Sequence, residues 1–334
     1  MNVHLQKMAI GLGLMALTLW LGGGVSLAGS ADNLYVTLSG ELYQADSNHK
    51  VQPFNKEKVE STTGKITRVL DLSRNGDLLV GIGERQVIPN TEHIGGNDLF
   101  VTDVDGSYSK QITSNLNVFQ ARWSPAGDKF AYVTRKMQLY LATPDGSVNK
   151  LISPVAVEPS WSGDGSKLVY SHFDEPYKGA IGYTVGIAVY DVASDRETVY
   201  TSGYDDSNPI FSPDKKRVLF FSSLRTSVAS EYILNLEDRK VEQITNVGMT
   251  NAYTEKGFVP VHLSALWSSD GNTIVFHTRY AEKEIWSLKL SGNKVVKSSK
   301  LGNGESPSWV VDGRRVKFVD TSEDTLKEKT AYVD

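Results

Sequence analysis

Five short phrases of one kind recur along this chain, each opening on an aromatic residue and closing in a tight turn. They read Trp123-Ser-Pro-Ala-Gly-Asp, Trp161-Ser-Gly-Asp-Gly-Ser, Phe211-Ser-Pro-Asp-Lys-Lys, Trp267-Ser-Ser-Asp-Gly-Asn and Trp309-Val-Val-Asp-Gly-Arg. Leu72-Ser-Arg-Asn-Gly-Asp is a sixth, degenerate copy. A repeated supersecondary unit cannot bury its apolar faces alone, so the copies must stack on one another. That excludes most folds otherwise open to a chain of 334 residues.

Each phrase leads into the same series of segments. Around Trp123 the Ser-Pro-Ala-Gly turn is followed by Lys129-Phe-Ala-Tyr-Val-Thr134, then Gln138-Leu-Tyr-Leu-Ala142, then Asn149-Lys-Leu-Ile152. Short apolar or alternating runs between Gly, Pro and Asp clusters are strands. In the turn, Pro sets φ at the first corner, Asp bonds back to the backbone and Gly takes the left-handed position. Outside the N-terminus no segment keeps a 3.6-residue apolar period, so very little helix is expected. Four strands per copy, spaced near the roughly 40–45 residues of a propeller blade, predict an all-β propeller.

The ends decide how the ring closes. Asn33–Thr37, Glu41–Ala45 and Val51–Phe54 read as later strands of a blade without its first, and the C-terminus holds first, second and third strands without a fourth. One blade shared between the termini leaves no sheet edge unpaired. Six anchors predict six blades; seven is the alternative if the N-terminal strands form their own blade.

Composition narrows the function classes. A net charge of -4 supplies no basic field for phosphate backbones, so nucleic acid is not an expected partner. The chain has no Cys, which excludes disulfides, thiolate chemistry and cysteine-based metal sites. No G-x-S-x-G nucleophile elbow and no phosphate-binding glycine loop occurs. Lys7, the apolar stretch Met8–Leu21 and the small residues of Ser26-Leu27-Ala28 read as an export signal over residues 1–28. No stable membrane span is expected after its cleavage, and a monomeric domain over 33–334 follows. The expected location is periplasmic, extracellular or cell-surface in a bacterium.

The Trp-Ser-x-Asp-Gly-x-x-Ile/Leu-Val-Phe/Tyr phrase, clearest at Trp123–Tyr132, Trp161–Tyr170 and Trp267–Phe276, resembles the WD-like repeats of TolB-type β-propellers. The resemblance covers nearly all of residues 33–334 and implies the fold, not one activity. It implies a binding scaffold of the bacterial envelope, the gating domain of a prolyl oligopeptidase-like peptidase, or a metal-dependent lyase of pectate fragments. The chain has no room for the additional N-terminal α/β domain that TolB itself carries.

In a propeller, loops after the second and fourth strands share one face. His93, His172, His262 and His277 map to it, whereas His49 maps to the other. Carboxylates such as Asp174, Asp205 and Asp206 share that face, with arginines just past second strands at Arg135, Arg225 and Arg279. Inserts at 84–97, 173–184, 223–230 and 246–260 lengthen the same face, and Tyr253 lies in the last. The candidate partner-binding residues are therefore His93, Arg135, His172, Asp174, Arg225, Tyr253, His262, His277 and Arg279. Elaborated loops on a rigid scaffold are where binding resides. The sequence thus predicts a non-enzymatic scaffold without cofactor, holding an envelope or extracellular protein or glycan. The competing class is a metal-dependent lyase or hydrolase of acidic saccharides, with His172, His262 and His277 as ligands. A plainer alternative is that the recurring arginines pair with an acid of a neighbouring blade.

Overall fold

The computed structural model of the chain describes residues 34–36, 42–45, 47–53, 66–73, 78–84, 97–103, 107–114, 116–174, 184–222, 224–226, 230–244, 265–277, 284–310, 312–320 and 327–333. These hold strands and no helix. In chain order the first sheet is β1 (Leu34–Val36), β2 (Leu42–Ala45) and β3 (Val51–Pro53). The second is β4 (Ile66–Leu72), β5 (Leu78–Glu84), β6 (Asn97–Asp103) and β7 (Ser109–Gln111). The third is β8 (Val118–Trp123), β9 (Phe130–Thr134), β10 (Leu139–Ala142) and β11 (Asn149–Ser153). The fourth is β12 (Ala156–Trp161), β13 (Lys167–Phe173), β14 (Val185–Asp191) and β15 (Arg196–Val199). The fifth is β16 (Ser207–Phe211), β17 (Arg217–Ser222), β18 (Ser230–Asn235) and β19 (Val241–Gln243). The sixth is β20 (Leu266–Trp267), β21 (Thr273–His277), β22 (Glu284–Ser291) and β23 (Lys294–Asn303). The last is β24 (Glu305–Trp309), β25 (Arg315–Asp320) and β26 (Lys327–Tyr332). Every sheet is an antiparallel meander in sequence order, as the repeat predicted, and together they make an all-β propeller.

The closure differs from the expected one. The described residues make seven sheets, and the terminal strands do not merge into one. A single bridge, Lys50 to Lys327, joins them. β1 lies beside β4, the first strand of the next sheet, as β8 lies beside β12. The N-terminal strands therefore take first, second and third places, not second to fourth. The same shift moves His49: its carbonyl meets the Glu328 N–H at the start of β26, the end from which loops after second strands leave. The strand phase could not be read because no aromatic-Ser anchor precedes Leu34 to mark it.

The core lies between the sheets. In β9, Phe130 and Tyr132 pack on Val80, Leu99 and Val101 of the preceding sheet, while Ala131 and Val133 pack on Leu168 and Tyr170 of the next. In β13, Leu168 and Tyr170 face back while Val169 faces forward to Val218 and Phe220. Alternate side chains thus enter different interfaces, which is why second strands read as continuous apolar runs. The anchor tryptophans Trp123 and Trp267 are buried in these interfaces.

The repeated turns tile one face. Gly127, Gly165, Gly271 and Gly313 have φ of 71°, 70°, 69° and 66°, and Lys215 holds the corresponding place at 59°. Each turn rests on the one before: a Cβ on Gly165 would lie 3.5 Å from Pro125, and Lys215 pairs with Asp164 at 2.6 Å.

Gly186 in β14 marks a close approach. A Cβ there would lie 1.8 Å from the Thr201 carbonyl oxygen, which is main chain and cannot yield. Gly186→Ala is expected to lower stability by about 3 kcal/mol through overpacking, measured as a shift in the urea midpoint at unchanged slope.

Candidate functional site

The loops after second and fourth strands meet on one face, as the repeat implied, and carboxylates tie them together. Asp174, just past β13, accepts the Gly203 N–H at 2.7 Å from the loop that leads into β16. That loop is drawn onto β14 by the Val185 N–H to Tyr204 carbonyl bond at 2.6 Å and the Asp206 N–H to Val185 carbonyl bond at 3.2 Å. Asp205 then accepts the Ser222 hydroxyl at 2.6 Å and the Leu224 N–H at 2.9 Å, which binds the loop past β17.

Arg225 closes the clasp. Its Nε and Nη2 donate to the two oxygens of Asp206 at 2.8 and 2.6 Å, a bidentate fork. The Asp206 side chain is 0% exposed and Arg225 only 12%. The Thr201 hydroxyl donates to the same carboxylate at 2.6 Å. The guanidinium lies 4.1 Å from the Tyr204 ring centroid and 5.1 Å from that of Phe220. Arg225 is therefore an inter-loop fastener, paired with an acid at the start of its own sheet and not with one of a neighbouring blade. Above this clasp Tyr204 and Leu224 stay 37% and 59% exposed.

His172 is placed otherwise than expected. It shares a face of β13 with Tyr170, and that face packs on the preceding sheet. Its Nδ1 lies 3.4 Å from Glu197 Oε1, and the Tyr170 hydroxyl donates to the same carboxylate. The His172 imidazole beside it, with the Tyr170 hydroxyl, holds the Glu197 carboxyl below the ordinary glutamate value despite burial. Burial pushes the Tyr170 phenol up, and its bond to Glu197 adds to that. His277 closes β21, two sheets further on, where its main chain pairs with Ile285. Arg135 is exposed, and its N–H donates to the Asn117 carbonyl at 2.8 Å. His93, Tyr253, His262 and Arg279 lie outside the described residues, as does the insert 246–260. Among the described residues no three His, Asp or Glu side chains are grouped to hold a metal.

First strands carry polar residues that reach across to the next sheet. Asp71 of β4 accepts the Trp123 N–H at 2.8 Å, and Gln120 of β8 accepts the Glu158 N–H at 2.9 Å. Glu158 of β12 in turn accepts the Asn208 N–H of β16 at 2.7 Å and the Ser171 hydroxyl at 2.7 Å. The second, third and fourth sheets thus each satisfy a main-chain donor of the next. Glu158 and Asn208 sit at bulges with φ of 59° and 52°. The signal was present: Glu158-Pro-Ser-Trp, Asn208-Pro-Ile-Phe and Ser306-Pro-Ser-Trp place a proline two residues before each anchor. Arg122 joins this inner row. Burial works against its charge, while Asp71 and Glu158 support it.

Comparison with known proteins agrees with this architecture. The TolB beta propeller domain family matches residues 135–332. The chain belongs to that family. The Tol-Pal system protein TolB of Francisella tularensis subsp. mediasiatica (strain FSC147) is 24% identical over 228 residues, which cover 65% of this chain and 48% of that protein. The same figures hold for the subsp. holarctica (strain LVS) protein. The chain thus spans about half the length of the curated relatives it matches. Among solved structures, an oligogalacturonate lyase in complex with manganese has a TM-score of 0.56 at 15% identity, covering 78% of this chain and 74% of that one. The tricorn protease has 0.58 at 11% identity, covering 93% of this chain and 35% of its own. At these identities the two solved structures show a likeness of fold alone.

Two outcomes test the polar contacts. Arg225→Ala leaves Asp206 buried without its counter-charge, so urea unfolding should show a loss of about 3–5 kcal/mol. For Glu197, a depressed folded pKa means a stabilising contribution that is full above the ordinary glutamate value, about 4.3. That contribution is lost as pH falls through the folded value. The urea midpoint of the native chain should therefore fall more steeply with acid than that of Glu197→Gln over this window.

Proposed function

We propose that this protein is an exported, non-enzymatic scaffold that binds an envelope or extracellular protein or glycan through its loop-rich face, without a cofactor. The observation that carries this reading is the clasp from Asp174 to Arg225. It engages Asp174, Asp205, Asp206 and Arg225 and leaves Tyr204 and Leu224 presented above them. A catalytic site needs accessible acids and bases, whereas a binding surface needs exposed aromatic and apolar groups held at low entropic cost. His172, expected as a metal ligand in the lyase alternative, lies 3.4 Å from Glu197 on the face of β13 that packs on the preceding sheet. The relatives' name, Tol-Pal system protein TolB, supports a protein as the partner. The signal-like residues 1–28 support export of the domain over 33–334.

The test is recovery of a partner from envelope extracts by the native protein, by Tyr204→Ala with Leu224→Ala, and by a protein with segment 246–260 replaced. Either change should weaken binding about tenfold or more while leaving the fold intact by circular dichroism. Unchanged recovery by both altered proteins would sink the proposal. So would one equivalent of Mn²⁺ or Ca²⁺ retained after purification and lost on His172→Ala and His262→Ala, the result that a lyase of acidic saccharides requires.

A further inference from the structure

Among the described residues the last sheet has three strands. The sheets from β4 to β23 have four strands each, whereas among the described residues β26 has β25 alone along most of its length. Its outer edge is used once, where the Glu328 N–H donates to the His49 carbonyl at 3.1 Å beside the Lys50–Lys327 bridge. That bond sets the phase of the strand. With Glu328 turned outward, alternation turns the N–H and C=O groups of Thr330 and Tyr332 outward too. Val333, of opposite phase, bonds inward to the Arg314 carbonyl at 2.9 Å. Beside this edge lies a cavity of about 420 Å³, lined by Leu301, Gly302, Asn303, Phe318, Thr330, Ala331 and the ion-paired Asp320 and Lys329.

The wall across the gap carries unbalanced charge. Lys289 of β22 stands directly opposite Lys297 of β23, with Lys294 opposite Ser291 at the hairpin end. All three lysines are exposed, and among the described residues no carboxylate pairs with them. Lys300 on the same strand, in contrast, pairs with Glu284 at 2.6 Å. Like charges directly opposite on a sheet are destabilising. Protection of an edge strand needs lysines on β23 only, and does not account for Lys289 on the inner strand. The lysines share a face with Ile285 and Gly302. Ile285 packs with Val316 and Phe318, and a Cβ on Gly302 would lie 2.7 Å from the Phe318 ring. That face therefore turns toward the last sheet.

We propose that the open edge of β26 docks an extended acidic segment of a partner protein, which adds as the fourth strand and sets carboxylates against Lys289, Lys294 and Lys297. Outward main-chain donors and acceptors select a strand, the lysines select acid, and alternate side chains of the segment enter the cavity between Leu301 and Phe318. This surface is separate from the loop-rich face, and either proposal can fail without the other.

The test uses the full chain and two fluorescein-labelled decapeptides, one alternating Glu and Val, the other Lys and Val. The Glu/Val peptide should raise its anisotropy on binding, about tenfold more weakly when NaCl is brought to about 0.5 M, and the Lys/Val peptide should not bind. Lys289→Glu with Lys297→Glu should reverse that preference. Hydrogen exchange should show new protection of the Thr330 and Tyr332 amides on binding. Thr330→Pro, which removes an outward N–H and spares the pairing with β25, should abolish binding. The idea is overturned if neither peptide binds, if binding leaves those two amides unprotected, or if the double variant keeps its preference. Binding to phosphatidylglycerol vesicles in place of the peptide would assign the lysines to a lipid surface, and overturns it equally.

Discussion

The structure depends on burial of each sheet from both sides. Phe130 and Tyr132 of β9 belong to one interface and Ala131 and Val133 to the next, and all four are fully buried. A fully buried large apolar side chain is worth about 1.5–3 kcal/mol, but only while a neighbouring sheet supplies the cover. No sheet in the row can therefore stand alone, and without a disulfide the chain relies on this stacking throughout. The polar contacts between sheets follow from the same demand. Bulged first strands turn main-chain N–H groups away from their own sheet, and Asp71, Gln120 and Glu158 supply acceptors across the interface.

The two faces of the ring answer different physical needs. On the turn face, glycines with positive φ let each tight turn rest on its predecessor, and Lys215 takes the same conformation with a side chain that reaches Asp164. The loop-rich face has longer connections, and carboxylates hold them in place. Asp174, Asp205 and Asp206 each accept bonds from a segment distant in sequence, so Asp174, the loop into β16 and residues 224–226 are joined. Rigidity there lowers the entropic cost of meeting a partner. In the last sheet the phase of β26 directs main-chain groups of Thr330 and Tyr332 away from β25.

Much of this was legible before any coordinates. The anchors from Trp123 to Trp309, the four-strand order within each copy and the sharing of one face by second- and fourth-strand loops all follow from local turn chemistry and a period of two. Side-chain roles on that face were less legible. Arg225 and Asp206 are 19 residues apart, and nothing local tells an arginine that grips a buried carboxylate from one that awaits a ligand. His172 was read by loop position, whereas strand parity decides its surroundings: it lies in phase with Tyr170 and so faces the preceding sheet. Asp71, Gln120 and Arg122 of the inner row went unread because their partners belong to different copies of the repeat.

The sequence by itself determined the unit: the turn residues, the strand alternation and the aromatic anchors are local, and they specify an antiparallel four-stranded sheet that needs neighbours. Tertiary structure decided the rest. Among the described residues it gave the N-terminal strands a sheet of their own, left the outer edge of β26 without a further strand, and set the expected binding residues His172 beside Glu197 and Arg225 against Asp206. These outcomes depend on which sheet meets which edge, a matter of contacts between residues far apart in the chain, and a repeat whose copies resemble one another carries no local record of them.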